Sequence, residues 1–352
     1  MTFFYMPILK WKQGEQLTLR ALDKPEQKVM LPLIELMPIN PEYKGNLKER
    51  LALHLAASCK QLLKARYDQF PIGIDTTAVD PTYKSQTKML TVCTNYLRKK
   101  GVDVIPVILP AMVFSEPATL ADLIDVNEVI LRVRVGTILP DQIEDLIANL
   151  QIALGGEPKQ IHVLFDMYNI VGTNSSSKAD ELEPLLKAAY AADAKTTVTI
   201  AGGSFPLSLQ GIKQGTHLLP RVEIHTYKKL HGDGFNKLRF GDYAVSNPLP
   251  LEGLDPTKMN PSAQIRYALD HDWLLYKGGG SKTYGMAQYN GLCKLLVAHE
   301  CYCTPEFSMG DKRYFYHTTE GASSGSYMTW RRDATSHHLV FSARQMMSLH
   351  GL

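Results

Sequence analysis

Two stretches decide the fold: EVILRVRV at residues 128–135 and QIHVLFDM at residues 160–167. Both are short and rich in Val, Ile and Leu, and their side chains alternate at the period of a β-strand. In the first, Val129, Leu131, Val133 and Val135 share one face, and Arg132 and Arg134 share the other. In the second, Ile161, Val163, Phe165 and Met167 oppose His162, Leu164, Asp166 and Tyr168. A mostly apolar run with an ionisable residue near its end is what a parallel strand covered by helices looks like. Six more runs of this kind flank these two: FFYMPILKW (3–11), VMLPLIEL (29–36), FPIGID (70–75), VDVIPVILP (102–110), TTVTIAGG (196–203) and RVEIHT (221–226). Helical patterns separate them. Eight strands alternating with helices predict an α/β chain folded as a (β/α)8 TIM-like barrel over residues 1–226. Periodicity does not show closure, so an open doubly wound sheet is the alternative. From residue 227 the pattern becomes polar, glycine-punctuated and aromatic. Residues 227–352 are therefore expected to form an excursion and a C-terminal α/β cap packed on the barrel.

Composition bounds the class. The chain has 352 residues, 45% hydrophobic and 21% charged, which excludes a disordered, collagenous or disulfide-scaffold protein. A net charge of +3 is too small to imply nucleic acid by itself. No apolar run approaches the roughly 18–20 residues of a membrane span. The N-terminus has no basic region ahead of its apolar stretch, and the five cysteines are an odd number, so cytoplasmic thiols are expected.

In a barrel the active site lies at the C-terminal ends of the strands. Lys10, Glu35 and Asp75 each close an apolar run there, joined by Arg132, Arg134, Asp166 and, in RVEIH, the co-facial Arg221, Glu223 and His225. Acids and bases in this set nearly cancel, so a mutually neutralising structural network is one reading. The other is a site. Glu35, Asp75, Asp166 and Glu223 can hold Mg2+ or act as acid and base, because hard cations take oxygen ligands. Arg132 and Arg134 can grip a phosphate, and Lys10 adds positive charge. Gly202, Gly203 and Ser204 follow the seventh strand, where barrels often bind phosphate. Together these suit metal-dependent phosphoryl or phosphodiester chemistry. A Schiff base on Lys10, with a carbonyl compound or pyridoxal phosphate, is a further use of the same set, with nothing else in its favour.

Other motifs are weaker. LLYKGGGSKT (274–283) fails as a phosphate loop, since Ser281 precedes Lys282 and Tyr276 stands at the first glycine. His299, Cys301 and Cys303, with Cys293 nearby, lack paired zinc spacing and are expected to be buried thiols. No H-E-x-x-H motif occurs, and no G-x-S-x-G follows a predicted strand as a nucleophile elbow does. Arg331, Arg332, His337 and His338 cluster around Trp330, either as a cap reaching the barrel mouth or a nucleic-acid backbone, or as a small aromatic core with solvated charges.

Several segments carry a resemblance: PILKWKQGE near the start, PLIEL at 32–36, LFDMYNI at 164–170 and AGGSFP at 201–206. RVEI at 221–224, FGDYAVSNP at 240–248, FSMGDKRY at 307–314 and WRRDATSHHL at 330–339 extend it. Together they resemble the Beta protein family, known from phage satellites and bacterial anti-phage defence cassettes. The resemblance implies a barrel-like fold and a role in phage exclusion, often beside a partner protein of the same cassette. It brings no catalytic residues with it, although Lys10, Glu35, Asp166, Glu223, Asp242, His337 and His338 fall inside the resembling segments. The expected function is phage defence through a mouth site that binds or processes a phosphate-bearing ligand, nucleotide or nucleic acid among them. A non-catalytic sensor or assembly component of a defence complex is the alternative. A homo-oligomer is compatible with either.

Overall fold

The computed structural model describes residues 3–65, 70–124, 126–155, 160–193, 195–250 and 259–352. The first seven strands are β1 (Tyr5–Lys10), β2 (Leu33–Glu35), β3 (Ile72–Asp75), β4 (Val104–Ile108), β5 (Glu128–Arg134), β6 (Gln160–Asn169) and β7 (Thr197–Gly203). Between them run α1 (Gln13–Arg20), α2 (Lys24–Lys28), α3 (Leu47–Ala65), α4 (Gln86–Lys99), α5 (Pro110–Ser115), α6 (Pro117–Leu120), α7 (Ile143–Ala153) and α8 (Ser175–Ala192). Side-chain caps start two of these helices: Ser85 accepts from the Lys88 amide ahead of α4, and Asn174 accepts from the Ser176 and Ser177 amides ahead of α8.

After β7 the chain makes β8 (Gly215–Pro220), α9 (Val222–Gly232) and β9 (Arg239–Asp242). The eight parallel strands of the closed barrel are β1 to β7 and β9. Closure runs through Thr199 opposite Arg239 on one side of β9 and Tyr5 opposite Phe240 on the other. The eighth strand is thus RFGD, not RVEIHT. Residues 222–226 are the first turns of α9, whose buried positions Val222, Ile224, Thr226, Tyr227 and Leu230 form a helical face. Val222 and Ile224 imitate strand alternation because both sides of the helix start are buried, and only the longer window shows the 3.6 period. The boundary set at residue 226 therefore falls inside a helix, and the barrel continues to Asp242.

Next come β10 (Ser262–Ala268), β11 (Asp272–Gly280), α10 (Ser281–Tyr284), α11 (Gln288–Val297), α12 (Met309–Tyr316) and α13 (Tyr327–Leu349). β10, β11 and β8 form a separate antiparallel sheet, with Trp273 opposite Leu219. The cap thus borrows a strand from the connection between β7 and α9. LLYKGGGSKT is the end of β11 followed by α10. The last helix returns to the barrel: Leu339, Val340, Ala343 and Met346 of α13 join the apolar layer between strands and helices, and α13 lies along α1. The cap is therefore an excursion between the eighth strand and α13, which takes the place of the eighth helix. Among the described residues, no helix is long and apolar enough to cross a membrane.

The barrel is filled from inside by Met6, Ile8, Leu31, Leu33, Ile105, Val107, Ile130, Leu164 and Ala201. Gly241 admits no side chain on this inner face, since a Cβ there would stand 2.8 Å from the Met6 carbonyl oxygen and 3.0 Å from the Ala201 Cβ. Gly241→Ala is expected to cost about 1–3 kcal/mol by overpacking, because the obstructing atoms belong to the barrel wall. A wild-type denaturation midpoint for that variant would contradict the tight closure at β9.

Candidate functional site

Side chains of the inner face become polar at the C-terminal ends of the strands. The parallel register sets Lys10 beside Glu35 and Glu35 beside Asp75, and places Arg134 opposite Asp166. At the centre lies Arg132. Its Nη1 donates to Glu35 Oε1 at 3.0 Å and Asp75 Oδ2 at 2.7 Å. Its Nε and Nη2 donate to Asp166 Oδ2 at 3.0 and 2.8 Å. Nη2 also donates to the Tyr243 hydroxyl at 2.6 Å, which donates in turn to Asp166 Oδ2 at 2.6 Å. One guanidinium thus serves three carboxylates and a phenol drawn from four parts of the barrel.

The acids differ in what they have left to offer. Asp75 uses its second oxygen on the Thr77 amide and hydroxyl, at 2.9 and 2.6 Å. Asp166 uses its own on the Tyr168 amide at 2.8 Å. Tyr168 sits at φ +60°, a left-handed conformation that non-glycine residues adopt rarely and mostly at functional positions. Side chains of Asp75 and Asp166 are 2% exposed, whereas that of Glu35 is 20% exposed. Burial and the neighbouring Asp75 raise Glu35 above the usual carboxylate range, against the pull of Arg132. Tyr243 is raised well above its ordinary value, chiefly by burial, and keeps its proton.

Two cations stand at the rim. Lys10 Nζ donates to the carbonyl oxygens of Asn247 and Pro248 at 3.2 and 3.3 Å. Burial lowers its pKa, and Glu35 opposes that shift. Arg134 lies over the Tyr168 ring, 3.4 Å from its centroid, a cation–π contact that leaves its N–H edge unspent.

Glu223 is not part of this cluster. It lies in the first turn of α9, outside the barrel wall, with its Oε1 3.7 Å from Arg221 Nε. Arg221 also approaches Asp242 Oδ2 at 3.8 Å; His338 Nε2 lies 2.7 Å from the same oxygen, and the Tyr5 hydroxyl donates to Oδ1 at 2.8 Å. Trp273 stacks on His338. Asp242 faces outward because it shares the face of Phe240, so it too is absent from the mouth. His337 pairs with Asp311 at 3.0 Å and stacks on Tyr267 in the core of the cap. The two histidines are adjacent on a helix rather than an extended segment, and a turn of about 100° per residue sends them to different cores.

The glycines after β7 make room for protein, not for a ligand. A Cβ on Gly202 would lie 2.6 Å from Ile170 Cδ1, and one on Gly203 2.5 Å from Pro248 Cδ. The Ser204 hydroxyl accepts from Trp273 Nε1 at 3.4 Å. A four-carboxylate metal site is not formed either. Glu223 is elsewhere, and the oxygens of the other three that face one another are taken by Arg132. Among the described residues, no group of three or more His, Cys, Asp or Glu is arranged to hold a metal. At His299 and Cys301, the ring Nδ1 accepts from the Cys301 amide, and all five cysteines are free thiols. Arg132 is likewise no phosphate ligand while three acids surround it. Tyr243, Tyr168 and Thr77 complete the site and were not among the expected residues. Tyr168 was visible on the right strand face, but Tyr243 follows a strand that its own four residues do not announce.

Arg132→Met is expected to destabilise the fold by about 3–5 kcal/mol, because it leaves three buried carboxylates without their cation. Acidification should return part of that loss, since protonation removes their repulsion. Unfolding curves at neutral and acidic pH test this, and a variant as stable as wild type at neutral pH would contradict the ionic reading. A second pH effect belongs to Glu223, which burial raises from 4.5 to about 7. A carboxyl raised on folding contributes stability below its unfolded value that is lost as pH rises through the folded one. Glu223→Gln should therefore gain on wild type between pH 4.5 and about 7. Parallel stability–pH curves for the two proteins would refute it.

Comparison with known proteins bears on family alone. No curated protein matches the chain. The family model described as Beta protein matches residues 5–344, taking in every barrel strand, the cap and most of α13. The chain belongs to the Beta protein family.

Proposed function

We propose that the barrel mouth binds and processes a phosphate-bearing ligand that also carries hydroxyl groups, of the nucleotide or sugar-phosphate kind, and that this serves defence against phage. The observation that carries the reading is the exposure of Glu35 within an otherwise saturated cluster. Burial and the neighbouring Asp75 raise its pKa, the direction a carboxyl needs for acid–base work. Lys10 and Arg134 supply the positive charge for the phosphate at the rim, while the exposed carboxyl of Glu35 accepts hydrogen bonds from hydroxyls. Support for the defence role is the resemblance of the PLIEL, LFDMYNI and FGDYAVSNP segments to a family known from anti-phage cassettes. Lys10 donates to loop carbonyls, which favours its use as a fixed charge over a Schiff base.

A second reading has its own observation. Both oxygens of Asp75 and of Asp166 already have partners, as in a purely structural network, and a non-catalytic sensor or assembly component would need no more than that.

Thermal melting with nucleotides and sugar phosphates, with and without Mg2+, separates the two. Ligand at 100 times its Kd should stabilise the fold by about 2.7 kcal/mol. Glu35→Gln and Arg134→Ala are expected to melt near wild type yet lose protection in a phage challenge. Full protection by both folded variants would leave the sensor reading standing.

A further inference from the structure

A cavity of about 210 Å3 lies in the seam between barrel and cap. Its walls come from Val245 after β9, from Gln264 and Arg266 of β10, from Tyr289 of α11, and from Trp330 and Arg331 of α13. None of its lining residues belongs to the Arg132 cluster, so it is distinct from the barrel mouth.

The chemistry of its lining is uneven. Arg266 gives Nε to Gln264 Oε1 at 3.1 Å and Nη1 to the Val245 carbonyl, and lies over the Phe205 ring at 4.1 Å. A guanidinium has five N–H donors, so most of its capacity remains. Among the described residues no carboxylate comes within ion-pair distance of it. Arg331 gives Nη1 to Ser246 Oγ at 2.9 Å, and its nearest acid is Glu15 at 4.0 Å. Burial, and after it the charge of Arg331, lower Arg266 to about 9. The same lining includes Tyr289 and Trp330, whose parallel rings stack on each other with centroids 4.3 Å apart. An apolar cavity of about 150 Å3 is enough for benzene. The seam has room for one ring and an anionic group, and none for a polymer strand.

We propose that this cavity is a binding site for a small aromatic anion, a single ring carrying a phosphate or carboxylate group. The anion supplies the counter-charge that Arg266 lacks among the described residues and a nearer one for Arg331 than Glu15, and the ring takes the aromatic side. Because α13, β10 and the segment after β9 all contribute, an occupied seam ties the cap to the barrel.

The test is titration of the full chain with phenyl phosphate and benzoate, followed by calorimetry or ligand-observed NMR, with inorganic phosphate and phenol alongside. Saturable binding of phenyl phosphate or benzoate is expected, tighter than that of inorganic phosphate or phenol. Arg331→Ala and Arg266→Gln should each weaken it about tenfold or more, the effect of losing one charge-assisted hydrogen bond. The Arg331 side chain is 36% exposed, so its variant remains decisive even if Arg266→Gln fails to fold. No saturable binding of either aromatic anion overturns the proposal, and so does affinity unchanged by Arg331→Ala. Loss on Arg134→Ala with none on Arg331→Ala places the anion in the barrel mouth and overturns the seam site while leaving the mouth reading intact.

Discussion

One buried cation organises the top of the barrel. Arg132 reaches acids on β2, β3 and β6 and the phenol that follows β9, so its guanidinium is a common partner for strands far apart in the sequence. Taking such charges out of water is expensive, and the ion pairs return the cost only when every donor finds an acceptor. That demand fixes register. A slip of one residue in any of these strands would turn its carboxylate to the outer, apolar layer and leave the guanidinium short. The aliphatic layers below supply burial, and Arg132 supplies the reason for one arrangement of the strand ends.

The same logic operates outside the wall at Asp242. It gathers Tyr5 from β1, Arg221 from the start of α9 and His338 from α13, so first strand, last strand and last helix meet at one carboxylate. His337, one residue earlier, is bound to Asp311 of α12. Two successive histidines therefore fasten the helix to the barrel with one side and to the cap with the other. Close backbone approach adds to this, since Gly310 of α12 lies against the Asp333 carbonyl of α13, where no side chain would fit. The cap is wedged between the eighth strand and the helix that completes the barrel.

These devices explain how much of the molecule can be read from the chain alone. Seven barrel strands are legible because each is buried on both sides and reads as a Val- and Ile-rich run. RFGD is not legible, since Phe240 is its one large apolar residue and Gly241 is needed for a close approach. RVEI took its place because α9 begins with two apolar residues at spacing two. Glu223 was misplaced with it, and Tyr243 was missed. Strand alternation found Glu35, Asp75, Arg132 and Asp166 together, because in a parallel barrel residues at equivalent strand ends must converge. It could not separate the paired from the available, which depends on rotamers and on loop groups such as the Thr77 and Tyr168 amides.

Charge placement gives the barrel mouth and the seam opposite characters. In the mouth, three acids outnumber the central arginine, and cations are confined to the rim at Lys10 and Arg134. In the seam, Arg266 and Arg331 face aromatic rings, with Glu15 beyond normal hydrogen-bond reach. An anion near the mouth is therefore drawn to its edge and repelled by its floor, whereas one in the seam is drawn inward. The two sites share residues 245–248 as a wall: Lys10 holds its carbonyls from one side, and Arg266 and Arg331 hold Val245 and Ser246 from the other.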